Sequence, residues 1–453
     1  MKLLKGQLAM NKKISARQWL VYIIIGLIGQ VAWVIENMYL NTYIFSFGVG
    51  ESYSSYISIT NAASAIVAVL TTLLLGTLSD KIGKRKFFIS IGYILWGIST
   101  LSFGFIKVDT IQSLFSLEAL SAAKTAAVFV IVLDCIMTFF GSTSNDAAFN
   151  AYVTETTDSG SVSKVQGVLA TFPILAMLIV FGLLNPLTEN GSWDLFFYII
   201  GGLTLVAGVS GLFLIPKEEK KTTNADGFVK RMVSGFLPVN IKSNPGLYIG
   251  FIAFLIYCIA TNIFMPYLMI YVQYTMEITG FEFILALGIA LIIGAVVTII
   301  LGFVQNRVGI IKMLIPTALL FAVGCILLSF VQKGQLILFI IFATIMMSGF
   351  MSQSSTLNAL IRERTPSGEE GSYQGVRMIF QVAIPMCTGP FIGEAIVRGM
   401  STSSYVDSLT KELSPLPPNY IFLFAGIVAL LSLIPSIILV IKNKSSEKKE
   451  GKE

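Results

Sequence analysis

Twelve long apolar runs, each bounded by charge, Gly, Pro or Asn, dominate this sequence, and a chain carrying them cannot be an ordinary water-soluble domain. They lie at residues 18–46, 53–79, 86–106, 125–150, 165–187 and 194–216, then at 247–275, 281–305, 310–331, 335–360, 372–398 and 420–441. A helix rising ~1.5 Å per residue crosses a hydrocarbon layer of ~30 Å in about 20 residues, which each run supplies. None alternates apolar and polar positions as a lipid-facing barrel strand does, so the fold class read here is an all-α membrane protein with twelve transmembrane helices. Composition agrees: 55% of residues are hydrophobic and 12% charged, about half the charge of a soluble domain. The chain has no histidine, which excludes His-based triads, metal sites and proton relays. Its four cysteines stand singly in apolar stretches and form no disulfide or zinc pattern. No nucleophile, metal or phosphate motif stands out, so neither an enzyme nor a resident cofactor is expected.

Charge sets the expected orientation. With the N-terminus inside, 26 of the 31 Lys and Arg fall in inner segments, and only Lys107, Lys124, Lys333, Arg398 and Lys411 fall outside. That bias places both termini in the cytoplasm of a multi-pass protein of the cell membrane. The net charge of +6 is then an orientation signal, and no patch remains for nucleic acid. The first span is too long for the core of a cleavable signal. Residues 217–246 break the apolar pattern, and Phe228, Val229, Met232, Val233, Phe236 and Leu237 recur at helical spacing beside Lys230 and Arg231. Such a segment fits a helix lying on the inner membrane surface. It divides the chain into six-helix halves at 1–216 and 247–442, with a charged, disordered cytoplasmic tail expected at 443–453.

The halves repeat each other. The nineteen residues from Asn150 to Val168 and from Asn358 to Val376 align without a gap at nine identities, offset by 208. A second pair, Gly76 to Lys86 and Gly302 to Lys312, is offset by 226, and the difference matches the eighteen-residue outer insertion Lys107 to Lys124. Parallel repeats of this kind are typical of transporters that close around a midplane site. Gly76, Asp80, Lys81, Gly83, Lys84 and Arg85 resemble the loop between helices two and three of the major facilitator superfamily. The resemblance implies two pseudosymmetric six-helix bundles and a role for these residues as a conformational latch stabilising an outward-open state. Asn306, Arg307 and Gly309 repeat that loop in the second half, and Asp146, Asn150 and Glu155 are read as its gate partners.

Within that superfamily the chain resembles the glycoside-pentoside-hexuronide:cation symporters and the sucrose transporters. Trp33-Val-Ile-Glu36-Asn37 is similar to a Trp-Ala-Leu-Gln stretch of the sucrose group, and Asp134 is similar to its proton-coupling acid. Two departures stand against a direct transfer: residues 53–79 lack the acids of the melibiose-type sodium site, and residues 145–155 lack the arginine of sucrose transporters.

Counted from span centres, Glu36 and Asp134 fall at matching depth, ~6 Å to the outer side of the midplane. No Lys, Arg or His lies at that depth, and an ionised carboxylate against lipid costs a few kcal/mol or more, so these acids should hold a proton or bind a cation. Gln30, Asn37 and Asn41 share a helical face beside Trp33, and Asp134, Thr138, Gly141 and Asn145 share another. With Asn262, Gln353, Asn358 and Gln381 in the second half, they offer amides beside aromatic rings, which suits a polyhydroxylated solute. Glu394, near the outer boundary, is read as a solvated or gate residue rather than a coupling one.

The reading is a secondary transporter that works by alternating access and moves a neutral sugar or glycoside with a proton, or with sodium. Asp134 and Glu36 carry the cation, and Gln30, Trp33, Asn37, Asn41, Asn145, Asn262, Gln353 and Gln381 bind the solute. Its partners are that solute, the cation and the lipid bilayer. Two alternatives remain: an exporter of cationic amphiphiles, and a membrane sensor that binds solute without transport.

Overall fold

The computed structural model describes residues 14–158, 161–216, 235–366 and 370–450. Among these residues, twelve helices are long and apolar enough to cross a membrane. In chain order they are α1 (Ala16–Ser46), α2 (Gly50–Gly76), α3 (Arg85–Phe103), α4 (Ala119–Thr156), α5 (Lys164–Glu189) and α6 (Trp193–Leu214). The second half holds α7 (Pro245–Thr275), α8 (Gly280–Val308), α9 (Ile310–Leu328), α10 (Leu336–Arg364), α11 (Tyr373–Met400) and α12 (Tyr420–Asn443). Helix starts carry expected chemistry. Ser15 and Gln18 form a reciprocal capping box at α1, and the Asn244 side chain accepts the Leu247 N–H at α7. The helix through α2 runs on to Ile82 and stops at Gly83, whose φ of 63° only glycine adopts without strain.

Each half packs as a bundle: α3 lies on α6 and α2 on α4 in the first, while α10 meets α8 and α9, and α7 meets α11, in the second. Without a hydrophobic drive between helices in lipid, such contacts depend on small residues that let backbones approach. A Cβ on Gly97 would come within 2.5 Å of the Leu205 nitrogen, and one on Gly208 within 2.6 Å of the Ile94 nitrogen. Gly324 and Gly349 play the same part between α9 and α10.

The halves meet mainly along α2 with α11, α1 with α7 and α5 with α8. Their hydrogen bonds to each other cluster at the end of the bundle opposite the termini. There Tyr53 donates to the Pro415 carbonyl at 2.8 Å, Gln273 to Asn185 Oδ1 at 3.0 Å, and the Gly280 N–H to both oxygens of Glu189 at 3.1 Å. Glu394 bonds Ser55, and Arg398 bonds Ser54, Ser55 and Glu394. The deepest such contact is a weak one from the Cys387 thiol to the Ala62 carbonyl, near mid-membrane.

Three features depart from expectation. The segment between α11 and α12 carries an antiparallel hairpin, β1 (Ser404–Val406) with β2 (Leu413–Pro415), paired Ser404 to Pro415 and Val406 to Leu413. The insertion after α3 is not plain loop: Val108–Phe115 is a helix, and α4 begins at Ala119. Helix also continues past α12 to Glu450, where a disordered tail is expected. The expected surface helix between the halves falls mostly on residues 217–234, outside the described residues; beyond them a short helix spans Pro238–Ser243.

Candidate functional site

Among the described residues, π-helical turns interrupt four spanning helices, at Ile35–Tyr39 in α1, Ser142–Phe149 in α4, Val180–Leu184 in α5 and Ile379–Ala383 in α11, and another, Tyr271–Thr275, ends α7. Such a turn inserts one residue into the helical count, so side chains beyond it rotate by about 100° relative to those before it. Glu36 sits inside the first of these turns and Asn145 inside the second. The simple helical wheel of the sequence therefore breaks at both places.

Glu36 and Asp134 are brought together. Ser64 of α2 donates to Glu36 Oε1 at 2.5 Å, and its oxygen lies 2.8 Å from Thr138 Oγ1, one turn from Asp134 on α4. Asp134 lies within electrostatic reach of Glu36. Asp134 is 1% exposed and Glu36 8%. Both Asp134 oxygens and Glu36 Oε2 lack a hydrogen-bond partner, and no Lys or Arg pairs with either acid among the described residues. A buried carboxylate with neither donor nor cation is strongly disfavoured in its ionised form, so the site is built to take up positive charge.

A second group lies toward the end that carries the termini. Gln30, Asn145, Asp146, Asn150 and Gln166, with Gly26, Phe149 and Phe172, line a largely polar cavity of about 250 Å³ in the first half. Tyr93 fixes Asn145 by donating to its Oδ1 at 3.0 Å. Asp146 and Asn150, read as partners of the loop after α2, line this cavity with Gln30. Glu155 does meet that loop: it pairs with the buried Arg85 at 2.7 Å, and Arg85 also donates to Ser79 Oγ at 2.7 Å. Lys84 and Gly83 form the bend before α3, and Gly76 faces Ala147 of α4. The side chains of Asp80 and Lys81 lie outside the described residues. In the second half, Gly309 at φ 94° ends α8 beside the exposed Asn306–Arg307 pair.

The other candidates scatter. Trp33 packs on Trp96 with ring centroids 5.0 Å apart, and Asn37 is exposed, its amide turned back to the Trp33 carbonyl at 2.8 Å. Asn41 is fully buried and accepts from Asn61 of α2 at 3.0 Å, an interhelical bond. Gln353 is likewise buried, accepting from Thr317 of α9 at 2.5 Å. Asn262 bonds its own helix and packs against Gly389 of α11. Gln381 and Asn358 both accept from Arg377, at 2.9 Å each.

Sequence reading overlooked α2. Ser54, Ser58, Asn61 and Ser64 form a stripe at helical spacing along an apolar span. The structure uses this stripe against α7, α11, Asn41 of α1 and Glu36. The second half differs at the matching place. The repeat offsets 226 and 208 carry Glu36 to Asn262, Ser64 to Ala290 and Thr138 to Met346. Ala290 and Met346 line an apolar cavity of about 30 Å³ between the halves, along with Met38, Met177, Phe181 and Met265.

Comparison with known proteins places this geometry. The family model described as Major Facilitator Superfamily matches residues 18–390. Among solved structures, the chain is similar to a nucleoside transporter, NupG, with a TM-score of 0.68 and 12% identity over 93% of this chain and 99% of that one. It is also similar to a D-xylose-proton symporter, with a TM-score of 0.69 and 16% identity over 92% of this chain and 96% of that one. At these identities the likeness is one of fold. A comparison with curated protein sequences finds no match.

Proposed function

Because the chain belongs to the major facilitator superfamily, and is thus a multi-pass membrane transporter rather than an enzyme, we propose that it couples the entry of a neutral sugar or glycoside to the entry of a proton. The observation that carries the reading is the pair Glu36 and Asp134, buried together without a counter-cation and with three carboxylate oxygens unpartnered. Coupling needs a group that is comfortable only when it carries positive charge, and this pair is one. The polar cavity of Gln30, Asn145, Asp146 and Asn150 supplies donors and acceptors for hydroxyl groups on the same half. The named activities of the two structural neighbours, D-xylose–proton symport and nucleoside transport, agree with a hydroxyl-rich, uncharged solute. With both termini in the cytoplasm of the cell membrane, the cross-half bonds close the outer end and the cavity faces inward.

Uptake of labelled pentoses, hexoses, disaccharides and nucleosides into cells expressing the chain tests this, with and without a protonophore or a sodium gradient. Protonophore-sensitive sugar accumulation that Asp134→Asn abolishes is the expected result. Accumulation driven only by sodium would replace the ion, and accumulation indifferent to both gradients would remove coupling. Accumulation of nucleosides alone would replace the solute class. A second reading, export of cationic amphiphiles, draws on the methionine-lined cavity between the halves. It expects dye retention in cells lacking the protein.

A further inference from the structure

We propose that Ser64 is a positioning residue that binds Glu36 and Asp134 into one unit holding a single proton, with Asp134 as its seat. The inference deepens the coupling reading and rests on it for the purpose of the two acids. Its geometry is independent of which solute is carried.

A serine hydroxyl has one proton to give. In this structure Ser64, 1% exposed, gives it to Glu36 Oε1 at 2.5 Å, so toward Thr138 Oγ1, 2.8 Å away, Ser64 can only accept. Donation therefore runs from Thr138 to Ser64 to Glu36. A chain of hydroxyls aimed at one carboxylate is a charge-assisted arrangement, and it stabilises Glu36 as the ionised member. Asp134 receives no hydrogen bond on either oxygen. Two ionised carboxylates within reach of each other, with no cation between them, would repel while one of them stood wholly unsatisfied. Two protonated ones would forgo the strong acceptor at which Ser64 is aimed. One proton, on Asp134, satisfies both halves of the pair.

The nearby buried acid Asp146 lies apart from the pair, lining the polar cavity with Gln30 and Asn145. The titratable neighbours that bear on the pair, Cys135 and Asp146, both come from α4. Toward the pair α2 presents the hydroxyl of Ser64 and, one turn away, the amide of Asn61. The charged groups of α11 that meet α2, Glu394 and Arg398, do so at Ser54 and Ser55 near the opposite end, while Arg377 is engaged with Gln381 and Asn358.

Infrared spectroscopy of the full chain in lipid vesicles reads the proton directly, through the carbonyl stretch of a protonated carboxyl, and needs no solute. At neutral pH the pair should give one such band, removed by Asp134→Asn and left in place by Glu36→Gln. In Ser64→Ala the donor that keeps Glu36 ionised is gone and both acids compete for the proton, so adding Asp134→Asn should now leave a carboxyl band, on Glu36, where the same substitution removes it from the unmodified chain. Ser64→Thr keeps the hydroxyl and should restore the original assignment, a rescue that loss of packing alone would not show. If Ser64→Ala does not fold, Ser64→Cys, a weaker donor, should shift the assignment in the same sense. A Ser64→Ala spectrum assigned as in the unmodified chain would overturn the proposal, as would two carboxyl bands or none from the pair in that chain. Failure of the coupling reading looks different: gradient-independent uptake beside an intact infrared assignment.

Discussion

A methyl group at Gly29 would overlap the Tyr93 hydroxyl and stand 2.9 Å from Asn145 Oδ1. Gly29 is thus what lets α1 approach Asn145, which is held from behind by a Tyr93 hydroxyl whose single proton is shared between Asn145 Oδ1 and the Ile25 carbonyl, 2.8 Å away. Gly29→Ala should cost ~1–3 kcal/mol by overpacking, seen as a lowered melting temperature of the purified protein. It should also weaken solute binding more than Ser144→Ala, which removes a hydroxyl bonded only within α4. Equal effects of the two would mean that Asn145 does not need its fixed position. The same scale explains why single residues were hard to assign from sequence. Asn41, Gln353 and Gln30 are alike as letters in apolar runs. Two of them satisfy neighbouring helices and one faces a cavity, because partner identity depends on the facing helix and not on the residue's own span.

At the scale of elements, the hairpin between α11 and α12 acts as a clasp. Asp407, buried at its turn, accepts the N–H groups of Leu409 and Thr410 at 2.9 Å and the Tyr405 hydroxyl at 3.1 Å, and it reaches across the halves to the Gly50 N–H at 3.0 Å. Tyr405 stacks near Phe45 of α1, with centroids 4.7 Å apart. Burial pushes the Asp407 carboxyl up, but the backbone donors of Thr410, Leu409 and Gly50 outweigh it and hold the group below the usual aspartate range. A carboxyl held low contributes fully above its ordinary value of ~3.9 and loses that contribution as pH falls through the folded value, so the clasp should stay charged at pH 5 and above. Spin labels across the hairpin end should show a constant distance between pH 8 and pH 5, and a broader, longer distribution in Asp407→Asn. A distance that lengthens already near pH 6 would contradict this. The twelve spans themselves were legible to within a few residues, because an uninterrupted apolar run leaves a chain in lipid no alternative to helix. The hairpin was not, since its strands are three residues each, too short for a period-two pattern. The π-helical turns were not either, as one inserted residue leaves composition unchanged.

For the molecule as a whole, closure at one end and a cavity toward the other make accessibility the decisive observable. Gln166 is exposed at that cavity, so Gln166→Cys should react with a membrane-impermeant thiol reagent in inside-out vesicles and not in intact cells. Labelling in intact cells at the same rate would reverse either the orientation or the resting state. The repeat and the resemblance of the loop after α2 were enough to read the two-bundle architecture, because both are written in contiguous residues. The acid pair was half legible: its members stand out as charges in apolar runs, whereas Ser64 joins them only through folding. Through the internal duplication Ser64 and Thr138 in one half answer to the apolar Ala290 and Met346 in the other, and Glu36 to the uncharged Asn262. A carrier with acids in both copies could move two charges per turnover; on the coupling proposed above, a pair confined to one copy would carry a single proton, and one charge would then set the gradient that can be built against.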